Sequence, residues 1–126
     1  MAGRVIHLVL IVSAQSELLQ WRHQLVRNAG YHAMPARDAD HALALARKAR
    51  PSIVLADADL GDGRALALLQ TLREFEALQG VHVVVLGVLT PEEHALVKDD
   101  PHAGTYQAAD DDEAALVALL RDALAA

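Results

Sequence analysis

The sequence predicts an α/β fold of the doubly wound type, a five-stranded parallel sheet with helices on both faces. Three observations predict it. Apolar runs of strand length alternate five times with amphipathic runs of helical length, with no repeat, linker or low-complexity segment between them. The runs "VIHLVLIV", "SIVLA" and "VHVVVLGV" are nearly continuous rather than alternating, as strands covered on both faces are. Hydrophobic residues make up 53% of the chain and aromatics only 3%, so the core has to be built from Leu, Val and Ala, which suits helices packed on a sheet.

The elements follow in order. Residues 5 to 12 form the first strand. In "SELLQWRHQLVRNAG", Ser16 is placed to cap a helix over 17 to 29, Leu18, Trp21, Leu25 and Ala29 recur at helical spacing, and Gly30 supplies a left-handed stop. Trp21 is therefore read as a core residue. "YHAMP" is a short second strand, and Asp38 or Asp40 starts a helix that has to end before Pro51. "SIVLA" is the third strand. After an acidic turn, residues 64 to 78 carry a broad apolar stripe of Ala65, Leu66, Leu68, Leu69 and Leu72, closed by Gly80. "VHVVVLGV" is the fourth strand, and "TPEEHALVK" opens a helix with Thr90 as cap, Pro91 at the first helical position and two glutamates in the first turn. "GTYQA" is a weaker fifth strand. The chain closes with a helix from 110 on, acidic from Asp110 to Glu113 where the dipole favours it, and apolar at Leu116, Leu119, Leu120 and Ala123.

Composition narrows the function. One domain over residues 1 to 126 is expected at this length. With no cysteine, disulfides, thiolate chemistry and cysteine-ligated zinc are excluded, and a cytoplasmic location is permitted. The N-terminal apolar run is too short to span a bilayer and lacks the features of a secretory signal. A net charge of −6 without a basic cluster argues against direct nucleic acid or membrane binding. The seven histidines include no pair at i and i+4 with an accompanying acid, so a zinc site is not expected. No glycine fingerprint for phosphates follows the first strand, and no Ser, His and Asp set emerges from spacing, which argues against a nucleotide binder or small hydrolase.

In a sheet of this kind the ligand crevice lies at the carboxyl ends of the strands. Asp57 ends the third strand there, with Ser13 and Ala14 after the first, Gly87 after the fourth, and Ala108 and Ala109 after the fifth. Asp59 and Asp62 share the turn with Asp57. Three carboxylates are the ligand type Mg²⁺ prefers, and acids and glycines are equally the ordinary residues of tight turns.

The stretches "LVLIVSAQSELLQWRHQLVRNAGYHA", "ARPSIVLADADLGDGRALALLQTLR" and the tyrosine of "GTYQAAD" resemble, in order and spacing, the receiver domains of bacterial two-component response regulators. The resemblance covers essentially the whole chain and implies the flavodoxin-like strand order 2-1-3-4-5. In that family an acid pair after strand one and an acceptor Asp hold Mg²⁺, while a Thr or Ser after strand four and a Lys after strand five contact the phosphoryl group. Charge cancellation of this kind is what lets a carboxylate attack an anionic phosphoryl group. Carried over, the acceptor falls on Asp57, but the acid pair falls on Ser13 and Ala14, the hydroxyl on Gly87 and the lysine on Ala109. Tyr106 occupies the aromatic switch position, without a hydroxyl partner at Gly87. The resemblance therefore implies a degenerate receiver, not an enzyme and with no cofactor. Such a module would act in the cytoplasm through a protein partner or self-association on the face of helix four, strand five and helix five. That face would present Glu92, Glu93, Asp99, Asp100 and the run from Asp110 to Glu113. The alternative is an unusual phospho-receiver that accepts phosphate on Asp57 from a histidine kinase, with Mg²⁺ held by Asp57, Asp59 or Asp62.

Overall fold

The computed structural model describes residues 7–61, 63–106 and 113–124. Five strands alternate with five helices: β1 (Leu8–Val12), α1 (Ser16–Asn28), β2 (His32–Ala36), α2 (Ala39–Ala49), β3 (Ile53–Asp57), α3 (Ala65–Glu74), β4 (His82–Leu86), α4 (Pro91–Asp99), β5 (Ala103–Tyr106) and α5 (Glu113–Leu124). All strand pairs are parallel and the order is β2-β1-β3-β4-β5. The expected sheet and strand order are both present.

The period-two alternation of strand side chains divides the interior in two. Leu10, Val12, Val54, Ala56, Val83 and Val85 point to one face, where Ala42 and Ala46 of α2, the apolar stripe of α3 and Val97 of α4 cover them. Val9, Ile11, Ile53, Leu55, Val84 and Leu86 point to the other, under Leu19, Leu25 and Val26 of α1 and Leu116, Leu120 and Leu124 of α5. Asp57 continues the Ile53 and Leu55 series. Its side chain is therefore directed to the face that α1 and α5 cover.

Several local expectations are corrected. Ser16 is the first helical residue of α1 and not its cap; Gln15 holds that place with no side-chain bond. The buried face of α1 is Leu19, Arg22, Leu25 and Val26, one residue round from the expected stripe. Trp21 is half-buried at the margin of the second core, and Ala29 is exposed. Residues 64 to 78 do not form one helix: α3 stops at Glu74, Phe75 is extended at φ −95° and ψ 121°, and a 3-10 turn over Glu76–Leu78 follows. The break turns Leu78 into the core at 2% exposure and lets Arg47 of α2 stack over the Phe75 ring at 4.6 Å. β5 starts at Ala103, one residue earlier than expected.

Other signals hold. Gly30 carries the positive φ of 98° after α1, and Asp38 caps α2 by accepting the His41 N–H at 2.7 Å. Thr90 and Glu93 form a reciprocal capping box on α4 with Pro91 behind the cap. No helix of the described residues is long and apolar enough to cross a membrane.

Candidate functional site

The carboxyl ends of β1, β3 and β4 meet at Asp57. Ala56 pairs with Val12 and Asp57 with Leu86, so the register carries Ser13 alongside Asp57 and places Gly87 one residue beyond its partner. Ala109 and Asp62, with Ala108 and Asp110 to Asp112, lie outside the described residues. Tyr106 ends β5 opposite Leu86 in the backbone register.

Asp57 is 9% exposed and Arg22 of α1 is 3% exposed. Arg22 donates from Nη1 to Asp57 Oδ1 at 2.6 Å, a charge-assisted bond across 35 residues of sequence. The other carboxylate oxygen, Oδ2, is buried with no hydrogen-bond partner among the described residues. Ser13 is fully buried, and its Oγ accepts the Gln15 N–H at 3.2 Å, so it organises the loop into α1. Ala14 is exposed, and a Cβ on Gly61 would stand 3.4 Å from its own Cβ, which shows how closely the two loops approach. Asp59 is exposed and accepts the Gly61 N–H at 3.0 Å, in a turn closed by the Leu60 N–H to the Gly63 carbonyl. Gly87 has φ of 117°, a conformation that residues with a Cβ rarely adopt. A hydroxyl residue placed there would thus strain the backbone.

Sequence reasoning missed Arg22. The signal was available: a cation one turn after Leu19 on the apolar face of the helix that follows strand one, the strand expected beside that of Asp57.

A second arginine ties the neighbouring loops together. Arg64, at the entry to α3, donates from Nε and Nη2 to Glu93 at 3.0 and 2.7 Å and from Nη2 to the Val88 carbonyl at 3.3 Å. This guanidinium, with the Thr90 N–H, holds the Glu93 carboxyl down to about 2 from an ordinary 4.5. At the other end of α4, Arg73 forks onto Asp100 at 2.7 and 3.3 Å. Burial pushes the Asp100 carboxyl up, but Arg73 and the His102 N–H together leave it below the usual carboxylate range. Glu93 and Asp100 are therefore not presented to a partner as expected; Glu92 and Asp99 are exposed.

No family model matches the sequence, and no curated protein does. Among solved structures, the chemotaxis protein CheY4 of Vibrio cholerae superposes with a TM-score of 0.86 at 21% identity, over 95% of this chain and 100% of that one. A CheY-like response regulator receiver domain protein from Methanospirillum hungatei JF-1 gives 0.83 at 18% identity, over 94% and 93% of the two chains. The chain has the receiver fold. The signal receiver domain of a histidine kinase from Syntrophus aciditrophicus matches as well, with 0.75 at 18% identity over 94% and 92%.

The Mg²⁺ that the receiver fold implies does not fit the described residues. Mg²⁺ needs near-octahedral oxygen ligands at close range. Here Asp57 Oδ1 is held by a guanidinium, Ser13 Oγ is engaged by backbone, Ala14 and Gly87 have no side-chain donor, and no group of three acids or histidines stands close enough to share an ion among the described residues.

Proposed function

We propose that this receiver-fold chain is a signalling module that works through protein contacts without phosphoryl transfer. The observation that carries this reading is the Asp57 carboxylate, bonded to Arg22 of its own chain where a phospho-acceptor needs a free nucleophile and a metal. Incubation with acetyl phosphate and Mg²⁺ should give no acid-labile label, and Asp57→Asn should leave partner binding intact. Stoichiometric labelling that vanishes in the Asn variant would overturn the reading. A phospho-accepting role, with Mg²⁺ as cofactor and a histidine kinase as donor, has one observation on its side: Oδ2 makes no hydrogen bond among the described residues. The same labelling decides it.

The face of α4, β5 and α5 is the proposed contact for a partner or a second copy. A groove of about 350 Å³ between α4 and β5 supports it, lined by His94, Lys98, Gly104 and Thr105 among others. Leu96, 47% exposed on α4, adds an apolar contact in a separate hollow that it lines with Gln79, Asp99 and His102. Exposed Glu92 and Asp99 make a basic or amphipathic protein the natural complement, and the net charge of −6 disfavours nucleic acid and anionic lipid. The module would work in the cytoplasm as a binding unit and not as an enzyme.

A further inference from the structure

We propose that Arg22 is a built-in counter-cation, a side chain that takes the place of an exchangeable metal ion at Asp57 and closes the site to Mg²⁺. The inference deepens the interaction reading, on which it rests for its biological sense, but its chemistry stands on the local geometry.

The direction of the Asp57 side chain comes first. Because β3 alternates, the residue that ends the Ile53 and Leu55 series faces α1, and the α1 residue that meets it is the one charged member of that helix's buried face. The two side chains are 4% and 13% exposed, so water does little to screen them. An enclosed carboxylate without a cation is strongly unfavourable, and the guanidinium supplies one that cannot dissociate from the chain. A divalent ion would have to bond the same carboxylate while facing that fixed positive charge. It would also have to find its remaining ligands beside a Ser13 Oγ already used by Gln15, and beside Ala14 and Gly87, which offer no side-chain oxygen. The φ of 117° at Gly87 makes the departure a property of the backbone as well as of the side chains.

If Arg22 acts as a cation in this sense, removing its side chain should leave a space that a small free guanidinium refills, provided that Asp57 is present. Arg22→Ala should melt roughly 10 °C or more below wild type, as loss of one partner of a buried pair does. Millimolar ethylguanidinium should recover several degrees of that loss by mass action, tetramethylammonium at equal ionic strength should not, and Arg22→Ala/Asp57→Asn should show no such recovery. Should Arg22→Ala fail to fold, the same recovery is read as folded signal regained on refolding with ethylguanidinium. In the wild type, millimolar MgCl₂ should leave the amide resonances of Ser13, Asp57 and Gly87 where an equal ionic strength of NaCl leaves them. Saturable Mg²⁺-dependent shifts at those amides, or equal rescue of the double variant, would overturn the counter-cation. Partner binding that survives Asp57→Asn alongside Mg²⁺ binding would sink this inference alone. Phosphate labelling of Asp57 would sink the interaction reading.

Discussion

Asp57 shows how much one side chain's surroundings decide. A carboxylate at the end of such a strand can be a nucleophile when a metal and a lysine attend it; the one at Asp57 is bonded by the guanidinium of Arg22. Burial of the pair makes each partner depend on the other. Arg22→Met and Asp57→Leu should each destabilise by about 3–5 kcal/mol, and the double substitution by clearly less than their sum, because the bond between the two can be lost only once. Urea unfolding of the four proteins checks it; strictly additive effects would show that the two groups do not interact. Gly87 tests a different point. Restoring a hydroxyl there by Gly87→Thr should cost about 1–3 kcal/mol, since the residue is held at φ 117°, and should yield no phosphate label. A neutral melting temperature would mean that the loop relaxes readily.

Among the elements, α4 buries only Glu93 and Val97, so its place depends on its cap and on Arg64 and Arg73 at the two ends of α3. Thr90→Ala should cost about 1 kcal/mol, the usual loss for a cap, and should raise amide exchange over residues 91 to 99 ahead of the rest of the chain. The pH dependence follows from the depressed Glu93 carboxyl. A folded value of about 2 against an ordinary 4.5 means that its contribution is complete above about 4.5 and is lost as pH falls from there through 2. Since the Arg64 side chain is 41% exposed, solvent screening keeps that contribution small, of the order of a surface pair at about 0.2–1 kcal/mol. Exchange of the α4 amides should therefore rise in acid before the core amides do. Simultaneous loss of α4 and core protection in Glu93→Gln and wild type alike would show that the strap does not hold the helix separately.

For the molecule as a whole, two half-cores on either side of the sheet carry the scaffold, and a fold held in this way can host different chemistry at the carboxyl ends of its strands. The proposed contact face carries the test at this scale. Charge reversal at Asp111 and Asp112, which lie outside the described residues, should weaken partner binding, and more so at low salt, because exposed charges are screened over roughly 10 Å at 0.1 M. Binding that is indifferent to both charge and salt would move the contact elsewhere.

Strands, helices and their order were readable from the sequence because local physics dictates them. Continuous Val, Leu and Ile runs have to be covered on both faces, Thr90 with Glu93 can only be a helix start, and Gly30 supplies the backbone that ends α1. Helix phase was less legible: Trp21 and Arg22 are neighbours in sequence, and an apolar stripe can be drawn through either. Placing the tryptophan inside is the obvious choice until Asp57 is known to need a cation on that side. The break at Phe75 was hidden for a similar reason, since Leu78 reaches the core only through the turn that interrupts α3. The ion pairs of Glu93 and Asp100 were not legible, because their arginines lie 29 and 27 residues away. What the sequence by itself determined was the fold and the position of one candidate carboxylate. Whether that carboxylate is free or paired was decided by tertiary structure alone, because an ion pair between residues 22 and 57 exists only once β3 has aimed Asp57 at α1 and α1 has turned Arg22 inward.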